Sequence, residues 1–283
     1  LKALIDADIL VYRIGFTTEN EDIEIAKWRM NDLIQKILAD TQATSYTCYL
    51  TASNDDTAFR RKVYPEYKLN RKAPKPVHYK ALREFLIEEY EAVLCSCIEA
   101  DDALGIAQTA IAKANGKSII VSIDKDLDCV PGLHYNFVKE NLYCVTNWQA
   151  AYNFYRQCLT GDTADNVKGI AGIGPKKAEK ILEGAVEEEE LFQKVREAYS
   201  NDYEFLINAE VLWICHQPFP QGRWSLSSLG SQLGQEVISQ LGSDSSPVTL
   251  STESIIAEEL TDGFPVNGDS LKGTTDLIAG SQI

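Results

Sequence analysis

The sequence predicts an α/β fold: a parallel sheet covered by helices, followed by a helical region. Three observations predict it. Apolar runs of strand length alternate with segments of helical period up to about residue 150. Beyond that point only the helical period continues. The acids of the first half fall just past the apolar runs, where open parallel sheets gather their functional groups.

The elements follow in order. KALID is a short strand ending at Asp6. EIAKWRMNDLIQKILAD places Ile25, Trp28, Leu33, Ile34, Ile37 and Leu38 at helical spacing. SYTCYLT is the second strand. Residues 59–77 are basic, and Pro65, Pro74 and Pro76 interrupt regular helix there. YKALREFLIEEYEA is a helix and EAVLCSCI a strand. EADDALGIAQTAIAKA is a helix with acids in its first turn. KSIIVSI is a strand that runs into DKDLDCV. LHYNFV and NLYCVT form a later strand pair, and NWQAAYNFYRQCL is a helix. EEEELFQKVREAY and EFLINAEVLWIC close the helical region near Trp224. Residues 225–283 hold 12 serines, 7 glycines and eight acids against one lysine, too little apolar material to offset ordering the chain. This tail is expected to be disordered.

Bulk properties narrow the function. No apolar run approaches the ~20 residues of a membrane span, and no secretory leader pattern is present. The expectation is a cytoplasmic protein with no membrane partner. The seven cysteines sit mostly in apolar surroundings and read as reduced, buried thiols. Cys95 and Cys97 alternate along a predicted strand, so both are expected on one side. His78, His134 and His216 are scattered, and no second ligand pair completes a zinc site. The net charge of −15 argues against simple coating of nucleic acid. Yet residues 59–83 carry nine basic side chains (Arg60, Arg61, Lys62, Lys68, Arg71, Lys72, Lys75, Lys80 and Arg83) against Glu66 alone. Such a segment is either a solvated loop or a surface for a polyanion.

The acids form four groups. Asp6 ends the first strand. Glu99, Asp101 and Asp102 follow the third, and Asp124 and Asp126 follow the fourth. Asp162 and Asp165, three apart, are expected to share one face of a helical turn. Taken singly, each has an ordinary use at a helix start or turn. Together on one rim they repel, and the natural counter-ion for oxygen-only ligands is Mg²⁺ or Mn²⁺. Two such ions about 4 Å apart activate a water and stabilise the leaving oxygen of a phosphodiester. GIAGIGPKK adds Gly169, Gly172 and Gly174, then Pro175 at a predicted first helical position. With Lys176, Lys177 and Lys180, this segment suits a helix–turn–helix that holds a nucleic-acid backbone without reading bases. It is neither a Walker A loop nor a complete dinucleotide fingerprint.

LIDADILVYR, FRRKVYPEYKLNRK, EADDALG, SIDKDLDCV and GDTADNVKGIAGIGPKKAEKIL occur in an order that resembles the 5′-to-3′ exonuclease and flap endonuclease family. That family includes phage 5′ exonucleases and the 5′-nuclease domain of bacterial DNA polymerase I. The resemblance covers about residues 1–217. It implies a PIN-like sheet over residues 1–150 with a basic arch at about 59–83. A helix–three-turn–helix DNA-binding region would then span residues 151–224. It implies that Asp6, Glu99, Asp101, Asp102, Asp124, Asp126, Asp162 and Asp165 bind two Mg²⁺ ions, with Mn²⁺ able to substitute. It gives catalytic roles to Lys68, Arg71 and Arg13. It gives DNA contacts to Arg60, Arg61, Lys62, Tyr67, Lys68, Arg71, Lys72, Gly172, Gly174, Lys176 and Lys177, with K⁺ at the glycine-rich turn. Tyr64 and Tyr67 either stack bases or pack against the arch stem. The family's acid after the second strand is replaced by Thr51, Ala52 and Ser53, and Asp55 is the substitute. Asp8 supports the ligands from behind, and Asp128 lies at the surface.

The implied function is hydrolysis of DNA at 5′ ends or flaps, leaving 5′-phosphate and 3′-hydroxyl ends. The partner is DNA with a 5′ end or flap, or an RNA–DNA hybrid. Two rivals remain at this level: a non-catalytic structure-specific DNA-binding protein, and a PIN-like ribonuclease.

Overall fold

The strands Lys2–Asp6 (β1), Ser45–Thr51 (β2) and Val93–Cys95 (β3) lie side by side and parallel, β2 between the other two. The chain then returns to the opposite side of β1 with Ser118–Val121 (β4), which also runs parallel. Gly132–Asn136 (β5) continues in parallel, and Asn141–Val145 (β6) turns back antiparallel, giving the order β3-β2-β1-β4-β5-β6. The strand order therefore switches direction beside β1. That switch opens a crevice at the carboxyl ends of β1 and β4. The computed structural model describes residues 1–52 and 58–224. Asp55, Asp56 and the tail 225–283 lie outside the described residues.

Both faces of the central strands β1 and β4 are covered, which is why they are almost wholly buried and mostly apolar. Ala3, Ile5, Ile119 and Val121 point into one core with helices Ala7–Thr17 (α1), Ile23–Thr41 (α2) and Tyr79–Tyr90 (α4). The alternate residues Leu4 and Ile120 point to the other face. There they meet Leu104 of Ala100–Lys113 (α5), Leu127 of the 3₁₀ turn Lys125–Cys129, and Ile214. The remaining helices are Phe59–Val63 (α3), Asn147–Thr160 (α6), Pro175–Leu182 (α7), Glu188–Ala198 (α8) and Asp202–Leu212 (α9). Among the described residues no helix is long and apolar enough to cross a membrane.

Two local expectations need correction. β3 stops at Cys95, and Cys97 has a left-handed backbone (φ 65°), so the two thiols do not share a strand face. Asp162 and Asp165 do not sit on a helical turn. Gly161–Asp162 (β7) and Val167–Lys168 (β8) pair antiparallel as a small ribbon, with Asp162 at the end of β7 and Asp165 within the turn. The ribbon's ends cross tightly: a Cβ on Gly161 would lie 2.2 Å from Gly169 N. Pro175 does open α7, with Gly174 at its N-cap.

A buried ion pair joins distant parts of the chain. Arg60, in α3, is 3% exposed and Asp102, in α5, is fully buried. Arg60 donates to both Asp102 oxygens at 2.5 and 2.8 Å. It also donates to the Val211 and Trp213 carbonyls at the end of α9, at 2.8 and 2.6 Å. Asp102 further accepts from the Cys215 and Glu99 amides at 3.0 and 3.1 Å. Arg60 and Asp102 are thus engaged with each other here rather than with the expected DNA and metal. Both side chains are sealed from solvent with their hydrogen-bonding capacity in use. Asp102→Ala strands a buried guanidinium, and the expected loss is about 3–5 kcal/mol in urea unfolding. A loss below about 1 kcal/mol would show that the pair is not a strut.

Candidate metal centre

The crevice at the strand switch is a cleft of about 780 Å³. Asp6, Asp8, Glu99, Asp101, Asp124, Asp126, Asp162 and Asp165 all line it, together with Lys68, Arg71, Lys75, Lys125 and Arg156. Three of the acids stand where a strand hands over to the next helical turn. Asp6 is the N-cap of α1 and accepts from Ile9 N at 3.2 Å. Glu99 is the N-cap of α5, whose first turn carries Asp101. Asp124 caps the 3₁₀ turn and accepts from Asp126 N at 2.9 Å. Each acid thus faces the cleft from a helical N-terminus, where backbone N–H groups offset part of its charge.

The cluster has two electrostatic halves. In the first, burial, together with the Asp8 charge, raises Asp6 to about 7. Ser122 Oγ donates to Asp6 Oδ2 at 2.7 Å and offsets this only in part. Burial and the neighbouring Asp124 and Asp162 raise Asp126 to about 7. Burial and the Asp6 and Asp124 charges push Asp101 well above the carboxylate range. In the second half, burial also works against ionised Glu99, but Lys68 and Arg60 outweigh it and hold it down at about 2. Lys68 Nζ donates to Glu99 Oε1 and lies 3.5 Å from Asp165 Oδ2. Arg71 pairs with Asp165 Oδ1. The Tyr67 hydroxyl lies 2.8 Å from both Glu99 Oε2 and Asp165 Oδ2.

In the first half burial and like charge therefore outweigh the nearby cations, and the group offers oxygen ligands alone, the donor set of a hard divalent cation. Among the described residues no three acidic, His or Cys side chains are already drawn together as a closed cage. The carboxylates line the walls of a crevice that a cation would draw inward.

Several expected residues lie elsewhere. Arg13 is exposed on α1 and does not line the cleft. Seven residues of helix displace its backbone about 10 Å from Asp6 along the axis. Tyr67 is 3% exposed, so it packs beneath the arch and does not offer a ring to bases. Tyr64 is half-buried, its hydroxyl on Glu66 at 3.2 Å. Arg83 is buried against Asp8, which it meets at 2.7 Å, while Asp8 also accepts from Thr51 N. Asp128 is half-buried and accepts from Tyr143. Arg61, Lys62 and Lys72 are exposed. Gly172, Gly174, Lys176 and Lys177 form an exposed turn in which Lys177 Nζ donates to Gly172 O at 2.8 Å.

Other groups of the cleft were not singled out in the sequence. Asn153, Arg156, Gln157 and Thr160 line it from α6 as a polar stripe at helical spacing, a pattern present in NWQAAYNFYRQCLT. Ser122 carries no such signal, since its role depends on strand pairing.

Residues 2–152 match a family model described as "5′-3′ exonuclease, N-terminal resolvase-like domain". The chain belongs to the 5′-3′ exonuclease family. Among members of related sequence, the flap endonuclease Xni of Shewanella sp. (strain W3-18-1) is 30% identical over 202 residues, covering 63% of this chain and 72% of the relative. The Shewanella putrefaciens Xni shows the same identity and coverage. The fold resembles that of the T5 5′-exonuclease with zinc bound (TM-score 0.54, 18% identity, 75% of this chain and 89% of that one). A second T5 structure, co-crystallised with metal ions, gives 0.53 at 17% identity and covers 86% of this chain and 97% of that one. The fold of this chain is thus shared with the T5 structures.

With divalent ions chelated, stability is expected to fall as pH rises from about 4 to about 7. Asp6 and Asp126 sit at about 7 when folded against 3.8 unfolded, so the folded state holds more protons throughout that window. Glu99, at about 2 against 4.5, works in the opposite sense only at lower pH. Urea midpoints at pH 5 and pH 7.5 in EDTA check this, and a higher midpoint at pH 7.5 would contradict it.

Proposed function

We propose that the chain is a divalent-metal-dependent nuclease that hydrolyses DNA at 5′ ends and 5′ flaps. The observation that carries this reading is the cleft itself, a group of carboxylates facing the Lys68 and Arg71 pair in a member of the 5′-3′ exonuclease family. The Shewanella relatives are flap endonucleases, and the T5 structures contain metal ions. These properties of relatives support the same activity here.

Asp6, Asp101, Asp124 and Asp126 would hold the metal, with Asp162 beside Asp126 and Asp8 at the rim. The number of oxygen donors supports two Mg²⁺ ions, or Mn²⁺ in their place. Bound divalent ions supply Lewis-acid activation of water and stabilise the leaving oxygen. The chain's own groups do the rest. Ser122 and the Ile9 amide fix the Asp6 carboxylate. Glu99, Asp165 and Tyr67 hold Lys68 at the mouth of the cleft, where its ammonium meets a phosphate oxygen and offsets charge gained in the transition state. Arg71 offers a second, more exposed cation. Cleavage on the side that leaves the 3′ oxygen gives 5′-phosphate and 3′-hydroxyl ends.

The exposed turn at Gly172 and Gly174, with Lys176 at the N-terminus of α7, would grip a backbone phosphate of the duplex. A monovalent cation such as K⁺ would add to the charge that Lys177 already brings to the Gly172 carbonyl. The strand paired to the flap is read through phosphates, so an RNA–DNA hybrid presents much the same surface. A cytoplasmic setting, where such DNA is found, agrees with the free cysteines.

Incubation with a labelled 5′-flap duplex and Mg²⁺ tests the proposal. Cleavage near the flap junction is expected for the native chain. Asp124→Ala should reduce it by at least 100-fold while leaving DNA binding in EDTA intact. Binding without cleavage by the native chain would favour a structure-specific DNA-binding protein. Lys68→Ala should lower turnover by about 10²–10³ with little change in affinity, and a loss confined to affinity would deny it a transition-state role.

A further inference from the structure

The cations at the mouth of the cleft belong to a loop with no regular structure of its own. Within residues 64–71 only short-range turns form, Tyr67 N on Tyr64 O, Leu69 N on Glu66 O and Arg71 N on Lys68 O. Lys68 itself has a left-handed backbone (φ 58°), which L side chains seldom adopt. Left alone, such a loop does not fix where an ammonium sits.

What fixes it is the ribbon turn at 163–166. Lys68 N donates to Asp165 O at 2.9 Å. Asn70 Nδ2 donates to Thr163 O at 2.7 Å, and Asn166 Nδ2 donates to Glu66 O at 2.8 Å. The two asparagines thus reach across in opposite directions, each binding a backbone carbonyl of the other's turn and bracketing Lys68 between them. Asn166, like Lys68, is left-handed (φ 60°). The ribbon is in turn anchored at its base, where Gly161 and Gly169 cross and Ile170 N donates to Leu159 O at 2.9 Å. A few residues on lies the glycine-rich turn that opens α7.

We propose that Asn70 and Asn166 are positioning residues: they lock the Lys68 loop to the ribbon turn, so that the segment leading into the duplex-gripping turn also sets where Lys68 stands. Neither residue lines the cleft, and Asn70 is exposed. Their contacts bury no apolar core, so their effect is on geometry and only slightly on stability.

The inference rests on the nuclease reading, and its test separates the two. In 5′-flap cleavage by the full chain with Mg²⁺, Asn70→Ala and Asn166→Gly are each expected to lower kcat about tenfold with KM within about twofold. Glycine keeps the left-handed backbone at 166, and Asn166→Asp, which keeps the shape but loses the donor, should behave alike. In a Lys68→Ala background the same changes should alter kcat less than about twofold, because the group they place is gone. Equal losses in both backgrounds, losses in KM alone, or no loss would overturn the proposal. Amide hydrogen exchange supplies the readout that does not depend on catalysis. Faster exchange at Lys68 with unchanged melting is expected in each variant, and unchanged exchange would overturn the tie whether or not the protein cleaves. A native chain that cuts no flap would overturn the nuclease reading alone.

Discussion

The constraint on which this structure turns is the crowding of negative charge at the carboxyl ends of β1, β3 and β4. Two unit charges 4 Å apart near a protein surface repel by about 4 kcal/mol at an effective dielectric constant of 20. An N-cap contributes about 1 kcal/mol, so the helix termini beneath Asp6, Glu99 and Asp124 cannot offset such repulsion alone. The molecule answers in two ways. On one side Lys68, Arg60 and Arg71 neutralise Glu99 and Asp165. On the other, Asp6, Asp101 and Asp126 are left short of a partner, and burial with like charge drives them toward protonation. The first arrangement holds the arch in place. The second keeps open a demand for positive charge that a cation satisfies.

The Arg60–Asp102 pair shows a motif acid put to a different use. Asp102 sits one residue from Asp101, yet a step of about 100° around the helix turns it from the cleft into the interior. There it meets a guanidinium whose planar set of donors suits both carboxylate oxygens and two carbonyls at once. A lysine at position 60 could not make the same set of bonds. The base of the arch is therefore bound to the sheet's helix and to the end of α9 through one side chain.

The sheet and its helices were legible because their signals are local. The alternation of Leu4 against Ala3 and Ile5, and the helical spacing of Ile34 and Ile37, are fixed by backbone period alone. The rim of acids was legible for the same reason, since strand ends in a parallel sheet share one edge. What escaped was non-local. Nothing near FRRKV says that its first arginine is buried against a residue 42 positions away. Nothing in YPEYKLNRK says that its second tyrosine and its lysine both turn in onto Glu99 and Asp165, because no periodic element sets their directions. The position of Arg13 outside the cleft lining was not legible either, because a spacing along a sequence does not say which way a helix leads. Asp162 and Asp165 were placed correctly in the cleft but on the wrong scaffold. A pair three apart fits a helical turn and a hairpin turn equally well, and only the crossing glycines distinguish them.

That crossing of Gly161 with Gly169 has a further meaning. A segment whose two ends touch is a closed loop, and the path of the chain before and after it does not depend on the loop's length. Closing a loop depends only weakly on its length, so such a segment behaves as an exchangeable cartridge. Here the cartridge carries two acids for the cleft and one asparagine for the arch. Variation in how a chain of this design treats the end of a DNA strand can therefore be concentrated in the turn at residues 163–166, while Val167 and Lys168 stay packed against α9.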